Sequence, residues 1–154
     1  MTSPSPIENW HFLVGKWKGH SPGDFGGEGE IVTTDTISLE MDGKFIMFKN
    51  EVRREGKLEH KSIGLLFCDV RNKKFLQKTF FSYGFVNNEV EYSSSETEIR
   101  FDVVSEPTPQ AFDGTRWRSY IIRVSDDEIR TGLEMAKEGE DFVSYGETIL
   151  KRVK

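Results

Sequence analysis

The chain has 154 residues, of which 36% are hydrophobic, 31% charged and 12% aromatic, and its net charge is −5. This length suits one domain, over residues 1–154, and acidic and basic residues interleave without a basic patch that would bind nucleic acid. No apolar stretch reaches the roughly 20 residues that span a bilayer, and residues 1–6 have neither the basic nor the apolar region typical of a signal peptide. We therefore expect a cytoplasmic protein without a membrane partner.

The first predicted element is a short helix. Residues 7–14 follow Pro6 and can form about two turns before Gly15 ends them. Trp10 would share a face with Leu13, which is enough apolar surface to plug the end of a larger structure.

After Trp17 the hydrophobic pattern changes to period two, which is typical of strands. Strands are predicted over 31–41, 44–54, 58–68, 75–83, 98–104, 116–124, 129–136 and 142–153. With a first strand at Trp17 and a short one between possible turns at Asn87-Asn88 and at 93–96, the total is about ten. Short serial connections favour an up-and-down meander, and a meander of this size removes its exposed edges by closing. We therefore predict an all-β, single antiparallel barrel with a short N-terminal helical plug.

The predicted turns follow from local composition. Asp42-Gly43 suits a hairpin because both residue types accept positive φ. The glycine-dense segment 23–30 is interpreted as a mobile loop over the barrel mouth or a bulged hairpin. It lacks the Gly-Lys-Ser/Thr ending of a phosphate-binding loop. Residues 106–114, with two prolines and a glycine, form the longest predicted loop.

Gly15-Lys16-Trp17, directly after the helix, resembles the Gly-x-Trp signature of the calycins, the superfamily of lipocalins and fatty-acid-binding proteins. In such barrels the Trp covers the apolar base, and a basic residue from the last strand packs over it. The resemblance implies that Arg152 has this role, through a cation–π contact of about 0.5–2 kcal/mol.

Within the calycins, four stretches resemble the nitrobindin-like haem-binding barrels and related uncharacterised families. These stretches are residues 12–19, 23–25, 133–136 and 147–153. The resemblance implies a proximal haem ligand near the start of the last strand, but Tyr145 occupies the place of the usual His. A tyrosinate can ligate ferric haem. The alternative is a buried Tyr that hydrogen-bonds a carbonyl. No other cofactor is expected.

Few residues suggest other chemistry. His11, His20 and His60 form no i, i+2 or i, i+4 pair, so no metal site is predicted. His60 alternates with Ser62 and Gly64 and can face inward. The single cysteine, Cys68, lies in an apolar run and is interpreted as a small buried hydrophobe.

The main hypothesis is a binding protein for a small hydrophobic molecule held inside the barrel. The predicted wall residues are Phe45, Met47, Phe81, Phe101, Trp117, Ile121, Met135 and Tyr145. Arg118 and Tyr120 could instead hold a carboxylate if their face points inward, but a one-residue change of register inverts the faces.

Two alternatives stay open besides haem binding. A calycin-fold isomerase, cyclase or decarboxylase would use Tyr145 with Glu147 and Arg118, although we expect binding rather than catalysis and no catalytic residue is assigned. A barrel filled by its many Phe side chains could use its outer face to form a homodimer.

Overall fold

The computed structural model describes residues 6–22, 28–106 and 114–154. Its first element is a 3₁₀ helix, Pro6–Leu13, which buries Ile7, Trp10 and Leu13. The indole of Trp10 meets the ring of Phe75 edge to face, with centroids 6.5 Å apart. The predicted helical plug is thus confirmed, because the buried face closes one end of the strands that follow.

Ten antiparallel strands make up the rest of the described residues, joined mostly by short turns. They are β1 (Gly15–Pro22), β2 (Glu30–Glu40), β3 (Phe45–Arg54), β4 (Lys57–Asp69), β5 (Lys74–Phe81), β6 (Phe85–Ser94), β7 (Glu98–Glu106), β8 (Arg116–Ser125), β9 (Glu128–Ala136) and β10 (Val143–Arg152). Each strand pairs with its neighbour in sequence, and β1 pairs with β10, so the sheet is a closed up-and-down barrel. The predicted fold class is confirmed.

Most predicted turns are present, and one was placed wrongly. The hairpin at Asp42-Gly43 forms as expected, with φ of 57° and 80° at these two residues. Asn87-Asn88 is not a turn but lies inside β6, paired with β5 and β7. The chain turns earlier, at residues 82–84, where Gly84 has a φ of 94° that a residue with a Cβ rarely adopts. Most of the predicted mouth loop and of the longest loop lies outside the described residues, at 23–27 and 107–113.

Arg152 joins the helix, the first strand and the last strand at the plugged end. Its guanidinium carbon lies 4.4 Å from the ring centroid of Trp17, the contact that the calycin resemblance implies. The same guanidinium donates hydrogen bonds to the carbonyl oxygens of Val14 (2.7 Å) and Phe12 (2.5 Å). Gly15, at the start of β1, has a φ of 136°, which lets the chain turn from the helix into the barrel.

The barrel interior has two layers. The layer nearest the helix is an apolar core that includes Trp10, Trp17, Leu66 and Phe101, all at most 1% exposed. The other layer, toward the turns that follow β3 and β5, holds a cavity. No helix in the described residues is long and apolar enough to cross a bilayer.

Candidate functional site

A cavity of about 450 Å³ lies in the barrel above the apolar core. This volume is within the range of about 300–1,000 Å³ that is usual for small-molecule sites. The interior is therefore not filled by Phe side chains, and the prediction of a filled barrel is wrong. Whether the protein forms a homodimer stays a prediction.

Three of the predicted wall residues line the cavity: Phe81, Ile121 and Tyr145. The ring of Tyr145 meets that of Trp117 edge to face, with centroids 5.1 Å apart. Trp117 faces Met135 across β8 and β9, but neither belongs to the described cavity lining. Phe101, which is fully buried, belongs to the apolar core beneath the cavity. A ligand-binding role for these residues stays a prediction.

Two predicted wall residues, Phe45 and Met47, lie on the wrong face of β3. The residues of this strand that line the cavity include Phe48, Asn50 and Val52, and successive side chains of a strand point to opposite faces. Phe45 therefore lies on the outer surface, where its ring is 4.9 Å from that of Phe67 on β4. The inward positions of β3 mix polar and apolar residues, so hydrophobicity alone does not identify its inner face.

The cavity floor carries a buried carboxyl group, Glu89 on β6, which is 6% exposed. Its Oε2 accepts hydrogen bonds from Gln77 Nε2 (3.0 Å) and Thr79 Oγ1 (2.9 Å) on β5. Its Oε1 accepts one from Ser119 Oγ (2.7 Å) on β8. Burial raises the pKa of Glu89, and the three hydrogen bonds oppose this rise.

A second carboxyl group, Asp35 on β2, lies in another part of the cavity wall and is 7% exposed. It accepts a hydrogen bond from Asn50 Nδ2 (2.8 Å), and Asn50 accepts one in turn from Ser62 Oγ (3.5 Å). Burial raises the pKa of Asp35 to about 6, against the opposing effect of the Asn50 hydrogen bond. Buried carboxyls with perturbed pKa values in a cavity are typical of functional sites.

The cavity rim is aromatic. Phe85 stacks on Phe81, with centroids 4.7 Å apart, and on Tyr83, at 6.1 Å. His60 points toward the cavity, as the alternation of β4 predicts, and its Nδ1 lies 3.3 Å from the Tyr83 hydroxyl. Burial lowers the pKa of His60.

The side chains of Arg118, Tyr120 and Glu147 lie on the outer face of the barrel. Arg118 pairs with Asp102 (3.0 Å), and its guanidinium lies 4.2 Å from the ring centroids of both Tyr92 and Phe142. The Tyr120 hydroxyl donates to the Glu147 carboxylate across Gly132. The register of β8 therefore places the side chains of Arg118 and Tyr120 outside the cavity. The prediction that they hold a carboxylate inside the barrel is wrong. The structure also separates Glu147 and Arg118 from Tyr145, so the predicted catalytic group does not form.

The described residues contain no group of three metal-ligating side chains. Tyr145 and His60 both line the cavity, and both side-chain types can ligate haem iron. These residues are compatible with haem, so haem binding stays a prediction.

Sequence reasoning did not identify Glu89 or Asp35 as candidate site residues. A carboxyl in a strand normally faces water. Glu89 shares its strand face with the polar residues Asn87 and Glu91, so the sequence carries no signal that it faces inward. Asp35 shares its face with Ile31 and Ile37, and this apolar-leaning face was the signal that could have identified it.

One of the solved structures to which this chain is similar is that of Rv2717c from M. tuberculosis. That structure has a TM-score of 0.73 and 18% sequence identity, over 99% of this chain and 100% of the other. This similarity supports the ten-stranded barrel fold.

Two further structures are much less similar. EF1p2_mFAP2b bound to DFHBI has a TM-score of 0.40 at 9% identity, over 97% of this chain and 100% of the other. A DUF3598 protein of unknown function from Nostoc punctiforme has a TM-score of 0.28 at 7% identity, over 98% of this chain and 100% of the other. Both scores are too low to indicate a shared fold. No protein-family model and no curated protein sequence matches the chain.

Proposed function

We propose that this protein binds a small, largely hydrophobic molecule inside the barrel. The observation that carries the proposal is the cavity of about 450 Å³, which lies above a closed apolar core and mixes apolar walls with a few buried polar groups. Such a combination is the usual design of a small-molecule site, because apolar walls supply affinity and a few polar groups fix orientation. Removal of apolar ligand surface from water contributes about 25 cal/mol per Å².

Membership of the calycins is the finer part of this proposal. Two observations support it: the Gly15-Lys16-Trp17 motif after the helical plug, and the guanidinium of Arg152 placed 4.4 Å from the Trp17 ring centroid. The structural similarity to Rv2717c is at 18% identity and concerns the fold. A nitrobindin-like relationship rests on the sequence stretches alone.

Titration with the uncharged fluorescent probe N-phenyl-1-naphthylamine tests whether the cavity binds apolar molecules. Thr33 and Thr34 provide a matched pair, because Thr33 lines the cavity and is 7% exposed, whereas its neighbour Thr34 is exposed on the outer face. Thr33→Phe should fill part of the cavity and weaken probe binding by about tenfold, which corresponds to about 1.4 kcal/mol. Thr34→Phe should leave binding unchanged. Equal effects of the two substitutions, or no probe binding to the wild type, would contradict the proposal.

Haem binding is a second candidate, supported by the position of Tyr145 in the cavity wall. Addition of haem to purified protein should then give a Soret band that Tyr145→Phe alters and Tyr83→Phe does not. Tyr83 is a suitable control because it also lines the cavity but lies in the turn after β5. Absence of a Soret band from the wild type would exclude haem.

A further inference from the structure

A carboxyl and an amide lie among the polar groups of the cavity that are next to the apolar core. Gln77 lies two residues from Phe75 of the apolar core on β5 and pairs with Glu89 on β6. Inward positions of a strand recur every second residue. Gln77 and Glu89 therefore belong to the polar layer next to the core, within reach of a ligand that fills the cavity.

The side-chain amide of Gln77 makes a hydrogen bond through its nitrogen but not through its oxygen. Its Nε2 donates to Glu89, while its buried Oε1 has no hydrogen-bond partner among the described residues. A buried carbonyl oxygen that makes no hydrogen bond is costly, and this cost is recovered when a donor reaches it. Glu89 beside it is also an acceptor, since its two oxygens already accept three hydrogen bonds. The polar groups at the floor of the cavity are therefore hydrogen-bond acceptors for a bound ligand.

The charged residues of the cavity also favour a hydrogen-bond donor over an anionic group. The ionisable side chains that line the described cavity are those of Asp35, Arg54, Glu59, His60, Tyr83, Glu89 and Tyr145. The single guanidinium among them, on Arg54, lies at the rim and pairs with Glu59 at 2.9 Å. No cationic side chain of the described lining therefore reaches Glu89, and an anionic group placed at the floor would find no cationic partner.

We propose that Glu89 and Gln77 bind the hydrogen-bond-donor end of the ligand, an alcohol or a protonated amine, and discriminate against carboxylates. This inference rests on the proposed function and adds the class of ligand. The apolar part of the molecule then lies among Phe81, Phe85 and the other apolar residues nearer the mouth. Burial of the Glu89 carboxyl strengthens its interaction with a donor, because the local dielectric constant is low.

Three probes with the same alkyl chain test the assignment: 1-decanol, decylamine and decanoic acid, measured by isothermal titration calorimetry at neutral pH. The wild type should bind decanol and decylamine about tenfold or more tightly than decanoate. Glu89→Gln should weaken decylamine binding by about tenfold, because a bound ammonium favours an ionised carboxylate beside it and an amide cannot ionise. The same substitution should change decanol binding by less than about threefold. The amide introduced by this substitution still offers an oxygen to its neighbours and can donate to Ser119 or Thr79, so the fold should persist.

Glu91→Gln is the matched control. Glu91 lies two residues further along β6, outside the described cavity lining, where it accepts a hydrogen bond from the Phe75 amide (2.8 Å). This variant carries the same charge change and should leave all three affinities unaltered. Equal binding of decanoate and decylamine by the wild type, or an unchanged decylamine-to-decanoate ratio in Glu89→Gln, would overturn the assignment while leaving cavity binding intact. Binding of none of the probes would instead remove the proposed function and the assignment with it.

Discussion

Replacement of Asp35 by Asn should stabilise the protein above neutral pH and have little effect in acid. Burial raises the pKa of Asp35 from 3.8 to about 6. This difference of about two pKa units, at about 1.4 kcal/mol per unit, amounts to about 3 kcal/mol of unfolding free energy. Asp35 is 7% exposed, so screening by solvent reduces this figure little.

The sign of the effect follows from which state loses its proton first. Below about pH 4 the carboxyl is protonated in both the folded and the unfolded chain, and no penalty exists. Between about pH 4 and about pH 6 the unfolded chain ionises while the folded chain does not, so the free energy of unfolding falls. Above about pH 6 the full penalty of the buried charge applies, and Asp35→Asn removes it.

Urea unfolding at about pH 4 and about pH 8 measures this penalty. At the higher pH, Asp35→Asn should exceed the wild type by up to about 3 kcal/mol, and at the lower pH the two should nearly coincide. The control is Asp42→Asn, which makes the same change at an exposed turn residue that Asn also suits. The pKa of Glu89 is raised as well, but this contribution is common to all three proteins and cancels in the comparison. An equal effect of Asp35→Asn at both pH values would refute the reasoning.

Three further predictions concern stability and reactivity. Arg152→Met should lower the free energy of unfolding by about 2–4 kcal/mol in urea, because several charge-assisted hydrogen bonds are lost. As a control, Lys151→Met at the exposed neighbouring residue should change the free energy of unfolding by less than about 0.5 kcal/mol. Equal losses of stability in the two variants would contradict the role of the Arg152 guanidinium. Gly132→Ala should lower the free energy of unfolding by about 1–3 kcal/mol in the same assay, because the new Cβ would overlap the Tyr120 ring. An unchanged urea midpoint would show that the ring moves aside freely. Burial and the carboxylates of Glu91 and Asp69 raise the pKa of Cys68, so iodoacetamide at about pH 8 should modify it more slowly than a free thiol. A rate equal to that of free cysteine would contradict this environment.

The strands and most turns could be predicted from the sequence because they depend on local properties. Alternating side chains and Gly or Asp at turns are signals that lie within a few residues of one another. The exception is the β5–β6 connection, where Asn87-Asn88 favoured a turn that the chain makes at Gly84 instead. Tertiary pairing of β6 with both β5 and β7 outweighed that local preference.

The site was only partly predictable, since Phe81, Ile121 and Tyr145 line the cavity while Phe45 and Met47 lie outside it. The face of a strand that points inward depends on its pairing with distant strands, and one residue of register exchanges the two faces. Hydrophobicity resolves this choice when the interior is uniformly apolar. On β6 the inward residues include Asn87 and Glu89, so hydrophobicity does not identify the inner face of this strand. On β2 it does, because Asp35 shares the inward face with Ile31 and Ile37.

The sequence by itself determined a closed barrel with a helical plug, because period-two alternation and short turns are encoded locally and a long meander must remove its edges. Only the tertiary structure decided that the barrel holds a cavity with a polar floor. That floor requires Gln77, Glu89 and Ser119, from three strands, to meet at one point, and such a meeting is a property of register and closure that no stretch of sequence contains.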